Sequence, residues 1–115
     1  MKNYLNSFGY AFKGISHFFK IEFNARVHAL AAGTALVLAW VSGFQPLEWL
    51  FLILAILLVF ITEMFNTAIE LFCDRLIPEK DGAVQRIKDI SAGAVLIATL
   101  FAILIALVLF IPKWI

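Results

Sequence analysis

The stretch "ITEMFNTAIELFCDR", residues 61–75, follows directly on "LEWLFLILAILLVF", residues 47–60, an apolar run whose one charge is Glu48. A chain this greasy has to account for Glu63, Asn66, Glu70 and Asp74, because a charged side chain inside a bilayer costs at least a few kcal/mol. Counted from Glu63, the other three are offset by 3, 7 and 11 positions. At about 100° per residue on an α-helix, all four fall within about 80° of arc. They form one polar stripe on an otherwise apolar helix. Glu63 lies deepest along it, and Asp74 stands about 16 Å nearer the loop that follows.

Outside this stretch the chain has the same character. Of its 115 residues 63% are apolar, and the mean hydropathy is +0.98, well above the soluble average of about half apolar. Nineteen uncharged residues separate His28 from Glu48, and 23 run from Ile90 to Pro112. About 20 apolar residues carry a helix across a hydrocarbon core. The reading is therefore an all-α integral membrane protein forming one domain over residues 1–115. The charges spread through the first 28 residues leave no apolar core for a signal peptide. The net charge of +1 says little by itself, and no nucleic-acid partner is expected. The single cysteine, Cys73, excludes an intrachain disulfide and reads as a small buried hydrophobe.

Residues 1–25 read as an amphipathic helix lying on the membrane surface. Leu5, Phe8, Phe12, Ile15 and Phe19 recur at steps of three and four, while Lys2, Lys13 and Lys20 share another stripe. Membrane helices are expected at about 26–43, 46–77 and 83–111. Pro46 would open the second, "IPEKDG" would form the turn before the third, and Pro112 would end it. Lys2, Lys13, Lys20 and Arg26 precede the first span, and Arg75, Lys80, Arg86 and Lys88 cluster around the second loop. The turn near residue 43 carries no basic residue, and only Lys113 follows the last span. Positive charge marks the cytoplasmic side. The amino terminus and second loop are thus expected in the cytoplasm, with the chain in the cytoplasmic (inner) membrane.

Three acids on one stripe repel, and a divalent cation compensates them economically. Glu22, just before the first span and at a similar depth, would complete a metal site with Glu70. In "QRIKDISAGAVL", Lys88 and Asp89 stand at the entrance of the third span and the small residues Ser91, Ala92, Gly93 and Ala94 follow, permitting close helix approach. Lys88 and Asp89 are expected opposite the stripe. Carboxylates, a lysine and Mg²⁺ at a cytoplasmic interface are the parts of phosphoryl transfer. Two other readings use the same residues: interhelical hydrogen bonds alone, or a small cation-binding transporter. The chain carries no Walker-type glycine loop and no soluble-kinase signature.

"EMFNTAIELFCDR" resembles the E-x-x-N-[ST]-A-I-E-x-x-x-D segment of the prokaryotic diacylglycerol kinase family. "KDISAGAVLIA" resembles its K-D-x-[AG]-[AS]-[AG]-A-V-L segment, and "GYAFKG" and "IEFNARVH" also look like family positions. The resemblance covers nearly the whole chain. It implies a homotrimeric lipid kinase with three membrane helices, an amino-terminal surface helix and active sites built between subunits. It implies ATP as phosphoryl donor, Mg²⁺ as cofactor and a membrane lipid alcohol as acceptor. Position by position, it implies Glu63 as the base acting on the lipid hydroxyl, with Ala92 beside the lipid, and Asn66 orienting the reacting groups. Glu22 and Glu70 would hold Mg²⁺ on the nucleotide, Lys88 and Asp89 would contact it, Tyr10 would lie against it, and Glu79, Lys80 and Asp81 would line its adenosine end. Asp74 would be a supporting carboxylate. The family often has an aromatic and a histidine in the second loop, where this chain reads "EKDG". Two acceptors divide the family, and "NARVH" resembles the undecaprenol branch more than the diacylglycerol branch.

Overall fold

The computed structural model describes residues 2–115, without the side chain of Lys2, so that member of the lysine stripe lies outside the described residues. Four helices follow in order: α1 (Lys2–Ile21), α2 (Phe23–Val41), α3 (Pro46–Leu76) and α4 (Gly82–Trp114). The last three are long and apolar enough to cross a membrane, which makes the chain a multi-pass membrane protein. The second loop spans residues 77–81.

The turn from α2 to α3 is set by backbone chemistry. Gly43 has φ +71°, in the left-handed region that suits glycine. Its N–H donates to the Trp40 carbonyl at 3.2 Å, and the Phe44 N–H donates to the Ala39 carbonyl at 3.2 Å. These are the two bonds of a Schellman motif. Phe44 then packs on Ala39 and Leu52, its ring 4.8 Å from that of Phe110 and 5.9 Å from that of Trp49. Pro46 opens α3 as expected, with Gln45 and Glu48 closing a capping box around it.

α3 and α4 form the main antiparallel pair, and α2 leans on α3. Along α3 the buried residues Ala55, Val59, Glu63 and Thr67 recur every fourth position; along α4, Val84, Ser91 and Ala98 recur every seventh. The polar stripe of α3 thus continues the apolar seam by which that helix packs. α1 is anchored near its carboxyl end, where Phe18 is buried and the Phe19 ring lies 5.7 Å from that of Phe60. Leu5, Phe8, Phe12 and Ile15 are exposed on the single chain.

α2 ends at Val41 and α3 at Leu76, one or two residues before the expected 43 and 77, and three further boundaries differ from the sequence reading. The first helix ends at Ile21, four residues short of the expected 25, because Glu22 takes an extended conformation and α2 starts at Phe23. No Gly or Pro announces this break. Arg26 secures it, donating from Nη1 to the Phe19 and Lys20 carbonyls at 2.8 and 3.0 Å. Gly82 begins α4 instead of ending the loop, since Asp81 caps the helix by accepting from the Ala83 and Val84 N–H groups. α4 also runs through Pro112 to Trp114. Contacts to the opposite turn hold that last stretch: Trp114 Nε1 donates to Ser42 Oγ at 2.9 Å, and Lys113 lies 3.0 Å from Glu48.

Candidate active site

Glu63 is buried to 7% exposure. Its Oε1 lies 3.0 Å from His28 Nε2 on α2. Its Oε2 is buried and, among the described residues, meets no hydrogen-bonding group. Leaving a buried polar atom unpaired costs a folded chain free energy, so such an atom marks a place for a ligand or for chemistry. The carboxylate borders a polar cavity of about 210 Å³ lined by Phe18, Glu22, Asn24, Asn66, Thr67, Ala92 and Val95. His28 also lines a second, apolar cavity of about 340 Å³, bounded by Ala31, Ala32, Ala35, Leu52, Val59 and Phe60 among others. The small alanines of α2 leave the space between helices that a Leu at each position would fill.

Toward the second loop the stripe is wired together. Ser91 Oγ on α4 donates to Asn66 Oδ1 at 2.8 Å, and Asn66 Nδ2 donates to Glu70 Oε1 at 3.3 Å. One amide therefore links α4 to the Glu70 carboxylate and is oriented by both. Further along, Lys88 on α4 pairs with Asp74 on α3. Exposure rises in step from buried Glu63 through half-buried Asn66 and Glu70 to exposed Asp74, as the depth grading along the stripe predicts.

The single chain thus gathers Glu22, Glu63, Asn66 and Ala92 around one cavity, with Glu70 one hydrogen bond away. Lys88 reaches α3 as expected. Asp89 does not face the stripe: it is exposed and accepts from Gln85 Nε2 on its own helix at 2.9 Å. One residue step turns it about 100° away from Lys88. Tyr10 is exposed on α1 with Lys13 Nζ 5.9 Å from its ring centre, and Glu79 and Lys80 are exposed in the 77–81 loop. Asp81 is also exposed and spends one oxygen on the cap of α4. Cys73 is buried, as its sequence reading has it.

Among the described residues, no three His, Cys, Asp or Glu side chains converge as a metal cage. That donor set fits Mg²⁺ carried in with a nucleotide, which takes one or two carboxylates and completes its shell with phosphate and water. Glu22 on the polar cavity and Glu70 beside it are carboxylates of this kind. Sequence reasoning missed the partnership of His28 with Glu63 and the hydroxyl bond from Ser91 to Asn66. His28 reads as an ordinary interfacial histidine, and Ser91 as a small residue for close packing. The seven-residue register of Val84, Ser91 and Ala98 is the signal that puts the hydroxyl on the α3-facing side.

Comparison with known proteins gives the family of the chain. The family described as "Prokaryotic diacylglycerol kinase" matches residues 9–110. The chain is 31% identical over 113 residues to the undecaprenol kinase of Bacillus subtilis, covering 98% of this chain and 92% of that protein. It is 32% identical over 111 residues to a diacylglycerol kinase of Synechocystis, covering 96% and 63%. Against the diacylglycerol kinase of Escherichia coli K12, identity is 33% over 96 residues, covering 84% and 79%. A match across this much of the chain favours a kinase over a cation transporter: the chain belongs to the prokaryotic diacylglycerol kinase family, and it is a lipid kinase.

Proposed function

We infer that the chain phosphorylates undecaprenol at the expense of ATP, with Glu63 as the general base. The carrying observation is the Glu63 carboxylate itself: one oxygen is held by His28, and the other is buried and unpaired beside a polar cavity. A lipid alcohol entering from the bilayer would bring its hydroxyl to Glu63 and lay its hydrocarbon along the apolar cavity that begins at His28. The hydroxyl proton passes to Glu63, the hydroxyl oxygen bonds to the γ-phosphorus, and the bridging bond to ADP breaks. Glu22 and Glu70 would hold Mg²⁺, which supplies neutralisation of phosphate charge when bound. Asn66, fixed from both sides, orients the reacting groups. Lys88, kept in place by Asp74, faces the phosphates. Tyr10, Glu79, Lys80, Asp81 and Asp89 lie toward the nucleotide in this reading. The chain works as a homotrimer in the cytoplasmic membrane, with α1 on the membrane surface and the nucleotide side in the cytoplasm.

Three observations favour undecaprenol. One relative of nearly the same length is an undecaprenol kinase. The "NARVH" segment resembles that branch. The apolar cavity is a single slot with alanines from all three long helices, Ala31, Ala55 and Ala102 among them, which suits one methyl-branched prenyl chain better than two acyl chains. Diacylglycerol is the second reading, favoured by the relatives that are diacylglycerol kinases at 32% and 33% identity. Labelled ATP supplied to the purified protein in mixed micelles of either lipid separates them. Faster label transfer to undecaprenol is expected; preferential labelling of diacylglycerol would reverse the assignment.

A further inference from the structure

His28 stands where the two cavities meet. Its Nε2 is 3.0 Å from Glu63 Oε1, its ring lines the apolar cavity, and the Glu63 side chain on the other side borders the polar one. The terminal torsion of a glutamate is soft, with a broad two-fold preference. A carboxylate with no fixed partner therefore presents either oxygen in many directions. Anchoring Oε1 from α2 removes that freedom and leaves Oε2, the unpaired buried atom, as the oxygen offered to a ligand. We propose that His28 is a positioning residue: by holding Oε1 through Nε2 it aims Glu63 Oε2 at the acceptor hydroxyl. The proposal rests on the reading of Glu63 as the base. It adds that the base is oriented from another helix and that the residue orienting it also shapes the slot for the lipid chain. Orientation of this kind acts on turnover, since it is needed when the proton moves and not when the nucleotide binds.

The two carboxamide variants isolate the atom responsible. The amide nitrogen of a glutamine overlays Nε2 of a histidine, and that of an asparagine overlays Nδ1. With saturating undecaprenol or dioleoylglycerol in mixed micelles, His28→Asn should lower kcat by about 10- to 100-fold, the worth of one hydrogen bond to a charged group. The KM for Mg·ATP should stay within about twofold, because uniform binding is untouched. His28→Gln should keep kcat within about threefold of the parent protein. Adding His28→Asn to Glu63→Gln should cause no further loss, since residues acting as one unit are not additive. A parent-like kcat in His28→Asn, or an equal fall in His28→Gln and His28→Asn, overturns the proposal. If His28→Asn fails to fold in detergent, His28→Gln decides: a parent-like kcat supports the proposal and a tenfold fall overturns it. Full activity in Glu63→Gln would instead remove the base reading itself. An inactive Glu63→Gln beside a fully active His28→Asn would remove only the role of His28.

Discussion

Four polar side chains on one stripe of α3 have four different surroundings. Glu63 is buried against His28, Asn66 is bridged between Ser91 and Glu70, Glu70 is half-buried and accepts from Asn66, and Asp74 is exposed but paired with Lys88. The substitution that separates these roles most cleanly is Glu63→Gln. Glutamine keeps the shape and a hydrogen-bonding oxygen while losing the ability to take a proton. Turnover should fall by about 100- to 10,000-fold, the usual span for loss of a general base. Mg·ATP binding, measured by equilibrium dialysis in detergent, should change little. Retention of parent turnover would move the base to another residue. Spacing alone made the stripe legible, because a helix converts offsets of 3, 7 and 11 into one face. The partners of the stripe were less legible. Whether His28 reaches Glu63 depends on how α2 lies across α3, and nothing local to "NARVH" encodes that crossing.

Helix boundaries show the same division between local and tertiary control. The α2–α3 turn was readable because glycine at the left-handed position and proline at the first helical position are local signals. The break at Glu22 was not, because the apolar periodicity of α1 continues past it and the device that secures it is Arg26 reaching back to two carbonyls. Pro112 was read as a stop, yet the helix continues where Trp114 and Lys113 are tied to the opposite turn. At the start of α4, Asp81 holds two of the otherwise unpaired N–H groups. Asp81→Ala should therefore cost about 1 kcal/mol of stability, and Asp81→Asn much less, since asparagine caps as well as aspartate does. Reversible unfolding in mixed micelles followed by circular dichroism measures both. The pair also distinguishes cap from nucleotide contact: a contact that needs the charge raises the KM for ATP in Asp81→Asn without loss of stability, whereas a cap alone leaves KM unchanged in that variant.

The whole molecule is a set of three membrane-length helices whose two ends differ in chemistry. One end, at the α2–α3 turn and the carboxyl terminus, is closed by the Phe44 aromatic cluster, the Lys113–Glu48 pair and the Trp114–Ser42 hydrogen bond. The other end carries the graded carboxylates, Lys88 and the exposed 77–81 loop. In the proposed reading the second end faces the cytoplasm, and the distribution of basic residues supports it: Arg75, Lys80, Arg86 and Lys88 stand around the loop, against Lys113 alone at the far end. Because Cys73 is the one cysteine and is buried, a Cys73→Ala background should accept single cysteines for labelling with little disturbance. A membrane-impermeant maleimide should modify Ile115→Cys in intact spheroplasts and Lys80→Cys only after lysis. The reverse pattern would turn the molecule over, put the carboxylate stripe on the side without ATP, and so contradict the assignment of Glu63, Glu70 and Lys88 to phosphoryl transfer, whatever the local geometry of the site.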